Sequence, residues 1–231
     1  MKRVYKKVEV APLEDGWSIT LDGRPIRTPA SNSMVLPSEK LASAIAAEWD
    51  AQADEIRPHE MPLTRLAATA IDRTSVQRAS VIDDVANYAG TDLVCYRAEQ
   101  PPTLAARQEA LWQPLIEWAI SRYDAALTVT TGIIPTRQSP AVLRAFGAVV
   151  AGFDDFRLTG LANLTAACGS LVIGLAVMEG RLNADAAFTA SQLDETFQIE
   201  TWGEDVEAME RRAAVAGDIQ SAARFVELLA S

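Results

Sequence analysis

Seven carboxylates crowd the seventeen positions from Asp194 to Glu210, with no basic residue among them. Paired carboxylates are the tools of general acid–base chemistry, as in glycoside hydrolysis. Such work needs two acids whose surroundings differ, whereas these lie among like charges and on helical positions, where a solvated face is the ordinary outcome. The single histidine, His59, stands between Pro58 and Pro62. A lone histidine excludes any metal site built on two or three imidazoles, and local spacing places no acid beside it to orient a base. Cys95 and Cys168 lack CxxC spacing and read as reduced, structural thiols. There is no nucleophile elbow around a serine, no GxxxxGK[ST], no GxGxxG and no calcium-loop order. No cofactor and no metal is expected, and no catalytic residue stands out.

The same acidic stretch has a second reading. Phe197, Ile199, Trp202 and Met209 interleave the acids, and as a helix the stretch places Glu195, Ile199 and Trp202 on one face at i, i+4, i+7. Leu193 and Phe197 share another face. Two apolar seams on one helix predict that one faces the core and the other, rimmed by Glu204 and Asp205, stays available to a basic, apolar partner. Trp49, flanked by Glu48 and Asp50, is the other tryptophan in an acidic setting and a further candidate for partner contact. The remaining function class is a carboxylate-dependent hydrolase with a cleft between two domains.

Composition narrows the partners. The 231 residues are 49% hydrophobic and 23% charged, ordinary globular values. Twenty-one basic against 31 acidic residues give a net charge of −10, which repels nucleic acid and anionic membrane. Met1 to Lys7 is basic but leads into Val8-Glu9-Val10, so no secretory signal is expected. The uncharged run from Leu158 to Met178 carries too many Gly, Ser, Thr and Asn residues for a lone membrane span and is expected to form one buried helix.

The elements that must carry these residues follow from periodicity. Alternation over 3–11 and 17–21, with Asp22-Gly23 as a hairpin turn, predicts a small antiparallel sheet to which Met34–Leu36 adds a strand. Ser38 caps a helix bearing Leu41, Ile45, Trp49 and Gln52 on one stripe. Pro58 and Pro62 mark a linker. Helical patterns then run from Pro62, from Ser75 to Ala89, from a Thr103 cap to Tyr123 with Pro114 inside, from Ser139-Pro140, and from an Asn183 cap. Leu127 to Ile134 is β-branched and extended, and Asp218 caps a last helix. The expected fold class is α+β: a small antiparallel β-rich N-terminal domain with one helix, residues 1–58, followed by a larger all-α helical bundle domain, residues 59–231.

Taken in order, several blocks resemble a known family. They are Tyr5-Lys6-Lys7-Val8, Leu21-Asp22-Gly23-Arg24-Pro25, Ala47-Glu48-Trp49-Asp50-Ala51-Gln52, Met61-Pro62-Leu63-Thr64-Arg65, Trp112-Gln113-Pro114-Leu115, Gly169-Ser170-Leu171, Leu193-Asp194-Glu195 and Trp202-Gly203-Glu204-Asp205. The chain resembles the ATP-twelve family of ATP synthase F1 assembly chaperones of mitochondria and α-proteobacteria. The resemblance implies a non-enzymatic chaperone that binds the unassembled F1 α subunit and shields its contact surface until β replaces it. It also implies the two-part fold already read from the pattern, and marks Glu195 as the functionally sensitive residue. Without a targeting presequence, the chain fits a cytoplasmic bacterial member or a trimmed mitochondrial matrix one.

Overall fold

The computed structural model describes residues 2–132 and 136–230. Strands β1 (Val8–Leu13) and β2 (Gly16–Leu21) pair antiparallel, from Val8 opposite Leu21 to Leu13 opposite Gly16. Asp22 and Gly23 both take positive φ, 48° and 80°, and turn the chain into the short strand β3 (Arg24–Pro25). Two successive positive φ values match the right-handed twist of the flanking strands, which is why Asp-Gly serves here. Pro25 sits on an edge, where its missing donor is harmless. The strand expected at Met34–Leu36 shrinks to one bridge, Leu36 exchanging backbone hydrogen bonds with Trp17 at 2.7 and 2.9 Å.

Helix α1 (Glu39–Asp50) begins at Ser38, whose Oγ accepts from the Leu41 amide. Its Leu41, Ala42 and Ile45 meet Ile19, Met34 and Leu36 of the sheet side. Helix α2 (Pro62–Thr69) has no side-chain cap of its own. The Glu48 carboxylate of α1 supplies one, accepting from the Leu63 and Thr64 amides at 2.8 Å each and from Thr64 Oγ1 at 2.7 Å. A carboxylate at a helix N-terminus satisfies orphan donors and favours the helix dipole.

This capping belongs to one of two compact units into which the chain divides. The first comprises 1–78, 154–160 and 224–231; the second comprises 79–153 and 161–223. The fold is α+β, with its three-stranded antiparallel sheet near the N-terminus and, beyond it, mostly helices with one short two-stranded parallel pair. The unit boundaries differ from the division expected at residue 58. Leu63, Leu66 and Ala67 of α2 bury themselves in the same cluster as α1 and the sheet, and Phe225, Leu228 and Leu229 join it from the far end of the chain. A composition change along the chain marks where strands stop, but it does not report where the next helix buries its apolar face.

In the second unit, helix α3 (Arg78–Asn87) leads by a turn to strand β4 (Tyr96–Arg97), then to helix α4 (Pro102–Tyr123). Helix α4 is preceded by Pro101, and Thr103 lies inside it; Pro114 removes one backbone donor within it. Trp112 is buried at its centre, donating Nε1–H to the Ala190 carbonyl at 2.8 Å. Strand β5 (Thr130–Thr131) pairs parallel with β4, and the end of the expected extended run, 133–134, lies outside the described residues. Helix α5 (Pro140–Ala151) takes Ser139 as its cap.

The uncharged run is not one helix. It breaks into α6 (Asp155–Cys168) and α7 (Leu171–Met178), because Gly169 turns left-handed at φ +63° and Ser170 caps α7 by accepting from the Ile173 amide at 3.0 Å. A glycine at the end of one helix followed by a serine cap is a boundary signal, which the unbroken apolar composition concealed. Helices α8 (Ala184–Ser191), α9 (Leu193–Trp202) and α10 (Val206–Leu228) complete the chain. Asn183 caps α8 through the Ala186 amide. Asp218 caps nothing; it is interior to α10, which runs unbroken for 23 residues.

The α6–α7 joint is locked by Asp92, a fully buried carboxylate. Ser170 Oγ donates to it at 2.5 Å, the Val172 amide at 3.0 Å and the Val94 amide at 3.2 Å. Burial pushes its pKa up from 3.8 to about 6, the hydrogen bonds opposing but not cancelling the loss of solvation. A raised folded-state pKa means that the protonated acid is favoured on folding. The contribution is therefore full below the ordinary value of 3.8 and is lost as pH rises through about 6. Asp92→Asn is expected to remove this slope: urea midpoints of wild type minus variant should fall as pH rises from about 4 to about 7, and a flat difference would refute the buried-acid account.

Candidate functional site

Helix α9 starts where α8 stops, Gln192 serving both ends and the Thr196 amide donating to the Gln192 carbonyl at 2.9 Å. Asp194 and Glu195 fall in its first turn, where negative charge suits the helix dipole. Leu193 is its one buried residue. With so small an apolar anchor, polar clamps set its rotation. Gln108 of α4, itself buried, donates Nε2–H to Asp194 Oδ1 at 2.7 Å while its Oε1 accepts from the Ala98 amide at 2.7 Å. Arg107 donates to Glu200 Oε2 at 2.6 Å and lays its guanidinium over the Phe197 ring at 5.4 Å. From α10, Arg212 donates to Thr196 Oγ1 at 2.6 Å and covers Phe188 at 4.8 Å.

These three clamps take up Asp194, Thr196, Phe197 and Glu200. What they leave outward is Glu195, exposed, Ile199, half-buried, and Trp202, which is 77% exposed. The acidic stretch is not one continuous helix: α9 ends at Gly203, whose φ of +93° only glycine adopts without strain, and α10 restarts after Asp205. Asp205 is spent as the α10 cap, its Oδ1 accepting from the Ala208 amide at 2.9 Å. Glu204 in the turn is exposed and unpaired among the described residues, as are Glu195 and Glu210. Val206, the first residue of α10, is likewise 77% exposed.

Trp49 is placed differently. It belongs to the first unit, half-buried against core residues, with the Tyr5 ring tilted against it at 5.9 Å and the Tyr5 hydroxyl donating to its carbonyl at 2.6 Å. Five of the six expected partner-binding residues thus lie on α9 and the following turn, and the sixth, Trp49, belongs to the other unit. Sequence reading had no means to identify Gln108, Arg107 and Arg212 as the residues that aim the face. Each reads as a solvated helix position, and the partners lie 16 to 93 positions away.

Both cysteines are buried and free, and burial pushes each thiol up to about 12, far from a nucleophilic thiolate. His59 is exposed, its nearest acid being Glu60 at 3.7 Å. Among the described residues, no group of three or more His, Cys, Asp or Glu stands ready to hold a metal, and no helix is long and apolar enough to cross a membrane.

A family model described as ATP12 chaperone protein matches residues 2–120. The chain belongs to the ATP12 chaperone family. The crystal structure of Atp12 from Paracoccus denitrificans shares 42% of its residues with this chain, covers 99% of it and 98% of the other, and superposes with a TM-score of 0.95. A chaperone candidate from Agrobacterium tumefaciens is 38% identical over 99% of this chain and 86% of the other, with a TM-score of 0.94. Mitochondrial atp12 of Schizosaccharomyces pombe is 24% identical over 197 residues, 80% of this chain and 68% of that one. Membership in a chaperone family removes the hydrolase alternative.

The clamps differ in weight. Gln108→Leu strands the Ala98 amide and the Asp194 carboxylate, a loss of about 1–3 kcal/mol. Arg107→Ala removes an ion pair whose two ends are 51% and 50% exposed, worth under about 1 kcal/mol. Urea unfolding should rank the two variants in that order; equal effects would mean that Asp194 is not held as described.

Proposed function

We propose that this chain is an ATP synthase F1 assembly chaperone that captures the unassembled α subunit through the outward face of α9 and the turn after it. The observation carrying the proposal is the division of labour among the acids. Asp194, Glu200 and Asp205 are bonded within the chain, while Glu195 and Glu204, which bracket Ile199 and Trp202 in the chain, have no internal partners among the described residues. An exposed tryptophan and valine set among free carboxylates form a surface that basic, apolar protein complements. A net charge of −10 steers such a partner toward the chaperone and keeps polyanions away.

No nucleotide is required for the cycle. An orphan subunit exposes the area its neighbour normally covers, and a chaperone that binds this area lowers the free concentration by mass action. The β subunit, offering a larger matched interface, displaces it. The site of action proposed is the bacterial cytoplasm, or the mitochondrial matrix for a trimmed member.

Co-expression of tagged chaperone with F1 α in the absence of β tests the proposal. Wild type should retain α. Glu195→Lys should cut retention by about tenfold or more, because the new charge meets the basic client, while the melting temperature stays within about 2 °C, as expected for an exposed position. A parallel collapse of folding would make Glu195 structural, and undiminished retention would remove α9 from the interface.

A further inference from the structure

Arginine over an aromatic ring recurs through the second unit. Arg97 covers Trp112 at 5.2 Å, Arg107 covers Phe197 at 5.4 Å, Arg122 covers Tyr123 at 5.3 Å, Arg181 covers Trp118 at 5.7 Å and Arg212 covers Phe188 at 4.8 Å. Three of these arginines also pair with a carboxylate: Arg97 with Glu109, Arg107 with Glu200 and Arg122 with Glu179. The unit thus fills the same composite slot, ring beneath and acid beside, again and again from its own side chains. Trp202 is its third tryptophan and the exception. It is 77% exposed, no ring or cation of the described residues lies over it, and the free acid Glu204 follows two positions later.

We infer that the slot at Trp202 is completed by the client, which supplies an arginine side chain that stacks its guanidinium on the indole and pairs with Glu204. The inference rests on the chaperone reading and names what that face recognises. Tryptophan gives the strongest cation–π surface of the aromatic residues. A guanidinium is the cation that suits it: planar, weakly hydrated, and able to stack and donate to a carboxylate at once, whereas a lysine ammonium keeps its water and binds as a point. Arg107 shows the arrangement realised earlier on the same helix, with Phe197 beneath and Glu200 beside it. Glu195, two helical turns before Trp202 and about 10 Å away along the axis, provides a second anchor for a basic group on the same client segment.

The test uses the whole chain, labelled with 15N, and three capped tripeptides, Gly-Arg-Gly, Gly-Lys-Gly and Gly-citrulline-Gly. The Trp202 indole N–H signal is identified by its loss in Trp202→Phe. Arginine peptide should shift that signal, lysine peptide should shift it about threefold less at equal concentration, and neutral citrulline should leave it in place. Glu204→Gln should weaken the arginine response. Equal responses to arginine and lysine, or to arginine and citrulline, overturn the inference. In α-subunit retention, Trp202→Leu should lose about three- to thirty-fold and Trp202→Phe less; equal retention by the two overturns it as well. Both variants should melt with wild type, since the ring supports nothing in the fold. Failure of the wild type to retain α would instead sink the chaperone reading and leave the peptide result to decide the slot. Retention sensitive to Glu195→Lys but indifferent to Trp202→Leu sinks only the arginine inference.

Discussion

The bond from Gln108 to Asp194 is the constraint on which the outward face depends. Helix α9 has one buried apolar residue, too little to fix its rotation by packing. A rotation of one residue, about 100°, would swing Glu195 inward and push Asp194 out. Gln108 prevents this because it is buried and has no freedom to follow: its carbonyl is already held by the Ala98 amide beside β4. The β4 segment, α4 and α9 are thereby set in one register by a single amide that both donates and accepts. A buried group so placed is costly to leave unsatisfied, which makes the arrangement all-or-none rather than adjustable.

Crowding seven acids into seventeen positions has a cost in mutual repulsion, and the structure shows how it is relieved. Asp194 and Glu200 are bonded to α4, Asp205 is absorbed as a helix cap, and Glu207 approaches Arg211 at 4.0 Å on α10. The break at Gly203 contributes as well, because a continuous helix would stack Glu200, Glu204 and Glu207 at the i, i+4, i+7 spacing where like charges destabilise. Only the acids that face solvent remain uncompensated. Negative charge is therefore concentrated beside Trp202 without being lodged in the interior, where an unpaired carboxylate would be intolerable.

Local chemistry was legible from sequence and long-range chemistry was not. The Asp22-Gly23 turn, the Ser38, Ser139 and Asn183 caps, and the exposure of Glu195 and Trp202 beside a half-buried Ile199 each depend on residues within a few positions of one another. The unit boundary, by contrast, depends on Phe225 and Leu228 returning to the cluster of Ile19 and Leu41. Asp92 reads as one more loop acid until Ser170, 78 positions on, is seen to donate to it. The division of the apolar run at Gly169 was within reach, since glycine and a capping serine stand side by side. Hydropathy outweighed them because both flanking segments are uncharged. Asp218 misled in the opposite direction: an acid is a good cap only where the preceding chain leaves the helix, and α10 does not.

Trp202 gives the last step. A tryptophan contributes to folding by the apolar area it removes from water, and one that stays largely exposed contributes little of that. The same unit buries Trp112 completely and covers Trp118 with Arg181, so the fold has the means to employ an indole. At position 202 it instead ends a helix, turns away through a glycine at positive φ, and leaves Trp202 exposed with Glu204 and the exposed Val206 following it in the chain. Moving Trp202 inward would have required only a different last turn. The burial it forgoes in the free chain remains available to an interface, where the same area is desolvated against a partner and the flanking acids fix orientation. Stability that is withheld from folding and recovered on association is what the proposed capture and release of a client would draw on.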